Sequence, residues 1–464
     1  MSATVETHRP LPQSAYRQVL RQADAHGVEL IRFLWVDHNG ILRGKAVTRA
    51  HLEFRMESGI GLAKSRQAAG LMDTGVPVPG FNAVGEVRLV PDPDTFIALP
   101  HAPGQGAMLC DLVQLDGEPW DACPRTFLKS ALVAAGKLEV VASYEPEFTL
   151  CSARPEPGGL KVLDDSLCFD NAGFDAAGDY VMQLLQGLRG QGVDVEVYHP
   201  EFGAGQHEMT LRHGPALRAA DLSVWQKAIT RGLASSLGLW ATFAPTPAPG
   251  FRGNGNHLHL SMWRDCPGRG RENVFADDAD GLGLSETAYH FIGGVLRHLP
   301  ALLALTCPSV NSYQRLQPGM WSGAHACYGQ DNREAAVRIP SRLRGAAAAS
   351  TNVELKAVDS TANPYLAMGA VIYAGLDGIA SRTDPGPQLA QDPNGLTDAE
   401  RDRLGLGLPR SLEEALEALR RDDYLMDVLG PLRREVYPAL KEDEIRAVKE
   451  MADDLAFLTY ATRY

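Results

Sequence analysis

Hydrophobic positions first recur at helical spacing, through Tyr16, Leu20 and Ala23 within Gln13 to His26, and then alternate with polar ones from Val28 to Val47 around Asp37-His38-Asn39-Gly40. A period near 3.6 buries one stripe of a helix and a period of two buries one face of a strand, so this stretch predicts a helix followed by a β-hairpin. Short apolar runs at Val87 to Val90 and Ala107 to Leu112 add strands, with Pro77, Pro79, Pro91, Pro93, Pro100 and Pro103 marking the loops between them. Residues 14–113 therefore read as a small α+β domain behind a polar tail at 1–13.

Helical spacing returns in Pro124 to Ala135, Gly178 to Arg189, Ala216 to Leu237, Ser285 to Ala304 and Pro364 to Ala380, interleaved with strand-like segments. Residues 114–464 thus form a second, larger α+β domain. The Pro-, Gly- and Asp-rich stretch Thr383 to Gly407 predicts an exposed loop or lid, and Leu412 to Leu419 and Glu442 to Thr462 predict amphipathic helices that close the chain. There is no internal repeat and no low-complexity tract.

The interleaved strands carry the chemistry. In Tyr144-Glu145-Pro146-Glu147-Phe148, after the apolar run Leu138 to Ala142, alternation sets both carboxylates on one face. Glu201 and Glu208 flank a Gly-containing turn, His257 and His259 alternate with Ser261, and Glu354 alternates with Lys356. Any one of these segments alone is most often a solvated sheet face. Four of them in one chain point to a shared cation site. Five carboxylates and an imidazole suit Mg²⁺ or Mn²⁺ better than a thiolate zinc site, and exceed what one ion needs. Arg333 and Arg338 add permanent cations of the kind that clamp phosphoryl oxygens. Carboxylate-held metals with arginines read as phosphoryl transfer from a nucleotide.

Composition narrows the partners. A chain of 464 residues with 45% apolar content supports two domains with a sizeable core, and a formal charge of −13 argues against nucleic acid or an anionic membrane. Small molecules are the expected substrates. Seven cysteines without CxxC spacing fit reduced thiols and a cytoplasmic setting. The N-terminus lacks an apolar leader core, and the longest apolar stretch, near Leu299 to Leu305, is too short to cross a bilayer.

The ordered set Glu145-Pro-Glu147, Glu201 to Glu208, Gly253-Asn-Gly-Asn-His257-Leu-His259, Asn311-Ser-Tyr-Gln-Arg315, Asn332-Arg333 to Arg338-Ile-Pro340 and Glu354 to Asn363-Pro-Tyr-Leu366 resembles the glutamine synthetase family. The resemblance covers nearly the whole chain, and Val36 to Lys45 looks like that family's β-grasp domain. It implies an α+β fold in which an N-terminal β-grasp domain precedes a catalytic domain built on a curved antiparallel sheet, a half-barrel with surrounding helices. It also implies ATP and Mg²⁺ (or Mn²⁺) as cofactors. Glu147, Glu201 and Glu208 would hold a metal beside the acyl substrate, and Glu145, His257 and Glu354 one against the ATP phosphates. Arg333 and Arg338 would clamp phosphate, Arg315 would grip the α-carboxylate of glutamate, and Gly253 would also bind substrate. His259, Ser261 and Glu196 would contact nucleotide. A homo-oligomer of two stacked hexameric rings is implied, each site lying between one subunit's barrel and its neighbour's N-terminal domain.

The chain departs from that family where ammonium would bind. The Asp, Tyr and flap Glu that surround ammonium correspond here to Ala63, Cys168 and Trp321. An apolar pocket favours an amine with an alkyl or aryl body, at about 25 cal/mol per Å² buried. The expected activity is ATP-dependent ligation of the γ-carboxylate of glutamate to an organic monoamine. Ethanolamine or polyamine acceptors, ordinary glutamine synthesis, a guanidino-type phosphotransferase and a non-catalytic scaffold or sensor remain as alternatives. Lys356 stands where the family has an arginine facing the γ-carboxylate, Arg252 where an asparagine precedes the glycine loop, and Asn352 where a nucleotide-side arginine is usual. Lysine keeps the charge and loses the bidentate fork, which leaves open whether glutamate is the only acid.

Overall fold

The computed structural model describes residues 13–268 and 270–464. The expected tail lies outside the described residues up to residue 12, and Gln13 already opens the first helix, Gln13–Ala25. Two mixed sheets follow. The N-terminal sheet comprises β1 (Leu30–Val36), β2 (Leu42–Thr48), β3 (Ile60–Ala63), β4 (Glu86–Pro91), β5 (Ile97–Ala98) and β6 (Gln105–Val113), in the order β2-β1-β6-β4-β3 with β5 beside β6. The pair β1/β6 is parallel and the others are antiparallel.

This sheet is a wall with a core on each side, because its central strands are apolar at both parities. Ile31, Phe33 and Trp35 of β1 and Met108, Cys110 and Leu112 of β6 enter a smaller core, which Val436 and Leu440 from the helix Asp423–Lys449 complete. Leu34, Val36, Ala107 and Leu109 face the other way into the main core. The two domains therefore share a sheet face, and neither closes its core alone.

The larger sheet comprises β7 (Glu139–Cys151), β8 (Val195–Pro200), β9 (Gln206–Leu211), β10 (Gly214–Pro215), β11 (Trp240–Thr242), β12 (Asn256–Cys266), β13 (Gly270–Asn273), β14 (His325–Gln330), β15 (Ala335–Ile339) and β16 (Val353–Leu355). Its order is β14-β15-β16-β12-β7-β9-β8, with β10 and β11 on β7 and β13 on β12. The sheet curves and nearly closes, the α+β architecture expected, except that β14/β15 is parallel where an all-antiparallel sheet was expected. Helices Ala216–Ser236, Glu286–Thr306 and Pro364–Ser381 bury most of their length against its convex side. No helix among the described residues is long and apolar enough to cross a membrane.

Two segments differ from expectation. Thr383 to Gly407 is largely exposed, as expected, but it is tied down and partly helical: Leu389, Leu396 and Leu406 cover Cys327 and Ala335, and this strap contains the helix Asp398–Arg403. The terminal helix expected over Glu442 to Thr462 is two helices, Asp423–Lys449 and Asp453–Arg463. The first begins well before Glu442 and runs through Pro431 and Pro438, with a break at Gly430, whose φ is 76°.

A buried ion network ties the layers together. Arg125, 3% exposed, reaches Asp221 at 2.8 Å on Ala216–Ser236, and Asp92 at 2.7 Å and Asp111 at 3.1 Å on the N-terminal side. Tyr365 donates to Asp221 at 2.7 Å. Burial opposes ionisation of Asp111, but Lys129 and Arg125 hold its carboxyl well below the usual range. Arg125→Met strands these carboxylates and should cost about 3–5 kcal/mol, read as a fall in the urea midpoint. Because the Asp111 carboxyl is depressed on folding, its contribution is full above the ordinary value of ~3.9 and fades as pH falls below it. The gap between wild type and variant should narrow in acid; a gap independent of pH would contradict the network.

Candidate active site

The site is built on β7, whose two halves pair with different strands. Glu139 to Pro146 pairs with β12 and Glu147 to Thr149 with β9, so the strand crosses the middle of the concave face. Register then decides which side chains meet. His257 stands opposite Glu145, and His259 opposite both Ser143 and Glu354. Arg338 stands opposite Glu354, Glu208 opposite Glu147, and His199 opposite Glu208. Directly opposed residues share a face, so all these groups point into one hollow.

Two sets of ligand atoms result, each lying within 4.8 Å of one another: Glu145, His259 and Glu354, and His199, Glu201 and Glu208. His257 adjoins the first set, its Nδ1 3.4 Å from Glu354 Oε1 and 3.7 Å from Glu145 Oε2. The turn between β8 and β9 is closed by Glu201 N–H donating to Gln206 O at 2.8 Å, which places Glu201 across from Glu208. His199 lies 3.4 Å from Glu201 and 3.5 Å from Glu208.

Glu147 sits between the sets. Its Oε2 accepts from Gln206 Nε2 and from Gly255 N–H, both at 2.8 Å, and its Oε1 is 3.8 Å from His257 Nε2. Burial, then the Glu208 carboxylate, push its pKa up to about 8 against the pull of Arg315. Burial likewise raises Glu208, with His199 opposing. On the other side burial is outweighed: Lys356 and the two imidazoles hold Glu354 at about 2, and Glu145 raises His259 to about 9. Burial and Lys356 push His257 down to about 4. The crowded, partly protonated acids fit hard divalent cations, which would relieve the repulsion raising Glu147, and the donors are carboxylate oxygens and imidazoles with no thiolate.

Arg315, 5% exposed, reaches His257 Nε2 at 3.2 Å, while its Nη1 is buried without a partner. Glycines make this approach possible. A Cβ on Gly253 would sit 2.5 Å from Arg315 Cγ, and one on Gly255 would sit 2.6 Å from Arg315 Nη2 and 2.8 Å from His257 Nε2. Arg338 pairs with Glu354 at 2.7 Å, and buried Lys356 approaches the same carboxylate at 3.3 Å. Ser261 accepts from Trp263 at 2.9 Å, and His259 Nδ1 meets Asn352 at 2.8 Å. Glu196 is exposed on β8, 3.9 Å from Arg212.

The mouth has a different character. Trp321 is 48% exposed with φ 54°, a conformation that costs a bulky residue roughly 1–3 kcal/mol. Glu334 holds the flap there, accepting from Trp321 N–H at 2.8 Å and Gly319 N–H at 3.1 Å. Arg333 lies over the Trp321 ring at 5.7 Å, and Phe202 meets that ring edge-on at 5.1 Å. Cys168 senses Glu201, and burial and that carboxylate raise its thiol to about 11. Phe169, also at positive φ, stands edge-on to His199 at 5.0 Å. Ala63 ends β3 at the edge of the N-terminal sheet, opposite Glu86, and is exposed there.

Sequence reasoning missed His199, Gln206 and Phe202 as site residues. The first was findable, since His199 precedes Glu201 by the two-residue period of a strand. Gln206 was findable in the same way, since it precedes Glu208 by two residues and, opposite Thr149, shares its face with Glu147.

Known proteins with this pattern were found by comparison. The profile described as "Glutamine synthetase, catalytic domain" matches residues 121–460, and that described as "Glutamine synthetase N-terminal domain" matches 14–120. The glutamine synthetase of Halobacterium salinarum is 35% identical over 443 residues, 93% of each chain. The γ-glutamylpolyamine synthetase GlnA3 of Streptomyces coelicolor is 35% identical over 450 residues, 95% of this chain and 94% of its own. A solved structure described as a novel glutamine synthase homolog superposes with a TM-score of 0.82 at 34% identity, covering 94% of this chain and 99% of its own.

Separate acidic sets should bind separate ions. A Mn²⁺ titration followed by electron paramagnetic resonance should show more than one site per chain, with Glu201→Gln weakening one class and Glu145→Gln another, each by about tenfold or more. If either variant weakens all sites equally, the two sets act as one.

Proposed function

The chain belongs to the glutamine synthetase family, and on that premise we propose that it is an ATP-dependent ligase joining the γ-carboxylate of glutamate to an organic amine. A carboxylate resists attack until one oxygen becomes a good leaving group. A γ-carboxylate oxygen therefore attacks the terminal phosphorus of ATP, ADP leaves, and a γ-glutamyl phosphate forms. The amine nitrogen then attacks the carbonyl carbon, the bond to phosphate oxygen breaks, and the amide and inorganic phosphate are released. The nitrogen sheds a proton that Trp321 cannot accept and that water at the open mouth can.

The residues divide between these steps. Mg²⁺ or Mn²⁺, held by Glu147, Glu201 and Glu208 and by Glu145, His257 and Glu354, would neutralise charge on the phosphoryl group. The arrangement adds His199 and His259 to the candidates for that shell. Arg333 and Arg338 suit the phosphoryl oxygens, while His259, Ser261 and Glu196 are assigned to the nucleotide. The unpaired Nη1 of Arg315, beside Gly253, suits the α-carboxylate. Lys356 offers the γ-carboxylate one ammonium in place of a guanidinium fork.

The observation that carries the organic acceptor is Trp321: the flap presents an exposed indole, packed on Phe202, where a carboxylate would be needed to hold ammonium. Cys168 feels the Glu201 carboxylate, and Ala63, on the edge strand β3, would join it from a neighbouring copy in the two-ring homo-oligomer that we propose. A polyamine acceptor is the second reading, favoured by the name of the Streptomyces relative.

An amine panel tests this. With ATP, Mg²⁺ and glutamate fixed, ADP and condensed product should form faster with methylamine, isopropylamine or aniline than with ammonia. No ADP with any substrate set would indicate a scaffold, and a stable phosphorylated product without amide would indicate a phosphotransferase. Trp321→Glu restores a counter-charge and should shift the ratio of ammonia to amine kcat/KM by about tenfold to a hundredfold, while ADP formation survives. An unchanged ratio would remove Trp321 from the acceptor pocket.

A further inference from the structure

Four side chains form a row across the mouth: Arg252, Phe202, Trp321 and Arg333. The two rings meet edge to face, with centroids 5.1 Å apart and planes at 88°. The Arg252 guanidinium lies 5.8 Å from the Phe202 centroid and that of Arg333 lies 5.7 Å from the Trp321 centroid. Arg252 Nη1 also rests 2.9 Å from Met320 Sδ, which joins the row to the flap. At the other side, Phe202 N–H donates to Glu201 Oε2 at 2.9 Å, so its ring is anchored beside a proposed metal ligand.

The rings are 46% and 48% exposed, and Met320 between them is 39% exposed. Clustered apolar surface at the mouth of a polar site is a surface for a ligand. Its charge is one-sided. An aromatic cage holds an ammonium by offering free ring faces, but here each ring already carries a guanidinium. The nearby acids are committed elsewhere. Glu334 spends both oxygens on the backbone N–H groups of Gly319 and Trp321, and Glu201 belongs to the second acidic set. Nothing in the row compensates a second positive charge on the substrate.

We infer that Arg252 and Phe202 are specificity-determining residues, and that the acceptor pocket takes primary monoamines with an uncharged alkyl or aryl body and rejects diamines and polyamines. This rests on the reading of Trp321 as part of the acceptor pocket. The apolar body of the amine lies on the Phe202 and Trp321 rings, where a terminal ammonium would meet Arg252 and Arg333 across a few ångströms of partly desolvated space. The departure at Arg252, where the family has a neutral asparagine, thereby acquires a purpose.

Pentylamine and putrescine make the test, because they match in length and differ by a methyl in place of an ammonium. In the wild type, kcat/KM for pentylamine should exceed that for putrescine by about tenfold or more. Arg252→Met should narrow that gap by about tenfold, mainly by lowering the KM for putrescine. Arg252→Lys, which keeps the charge, should retain the gap. Phe202→Ala should lower kcat/KM for pentylamine about fivefold or more relative to that for ammonia. Equal use of the two amines by the wild type, or a gap that persists in Arg252→Met, overturns the inference while the organic-amine reading stands. If pentylamine, benzylamine and putrescine all fail to drive ADP release that ammonia supports, the organic-amine reading itself fails and takes this inference with it.

Discussion

Carboxylates gathered in a protein interior repel one another, and the catalytic sheet gathers five of them on one concave face. Burial and then the neighbouring Glu208 carboxylate push the Glu147 carboxyl above its ordinary range. Much of the surrounding structure manages that charge. Arg338 and Lys356 bracket Glu354, His199 bridges Glu201 and Glu208, and Gln206 and the Gly255 N–H occupy one oxygen of Glu147. The glycine loop has no side chains at 253 and 255 because Arg315 and His257 fill that space. A site so arranged is suited to cations and phosphoryl groups, and this half of the chemistry does not depend on which amine arrives.

The mouth is built on another principle. It is open, aromatic and flanked by guanidiniums, and it is held in shape by backbone strain at Trp321 and Phe169 rather than by buried ion pairs. Strain of that kind persists only where surrounding contacts over-determine it, and here Glu334 supplies two hydrogen bonds to the flap. The scaffold beneath is stiff because the N-terminal sheet is buried on both faces and Arg125 links it to Ala216–Ser236.

Much of this was legible in the chain itself. Strict alternation announced that Glu145 and Glu147 share a face, as do His257, His259 and Ser261, because side-chain direction in a strand depends only on parity. Helical spacing located Ala216–Ser236 and Pro364–Ser381 for the same local reason. Local signals failed where a tertiary contact overrode them. Gly430 and Pro431 do interrupt Asp423–Lys449, as their composition suggests, but the helix runs on through Pro438, where Val436 and Leu440 close the smaller core. The Pro- and Gly-rich strap from Thr383 is mostly exposed, as it reads, but three leucines spaced too widely to register as a pattern pin it on Cys327 and Ala335.

What the sequence determined by itself was therefore the set of chemical groups, the faces they occupy and, through its resemblance, the family. What tertiary structure decided was adjacency. Parity places Glu147 on a face but does not say that Glu208 stands opposite it, that His259 joins Glu145 and Glu354, or that Phe202 meets Trp321. Those pairings come from strand register and loop closure between segments far apart in the chain, and register is settled by burying one face of the whole sheet at once.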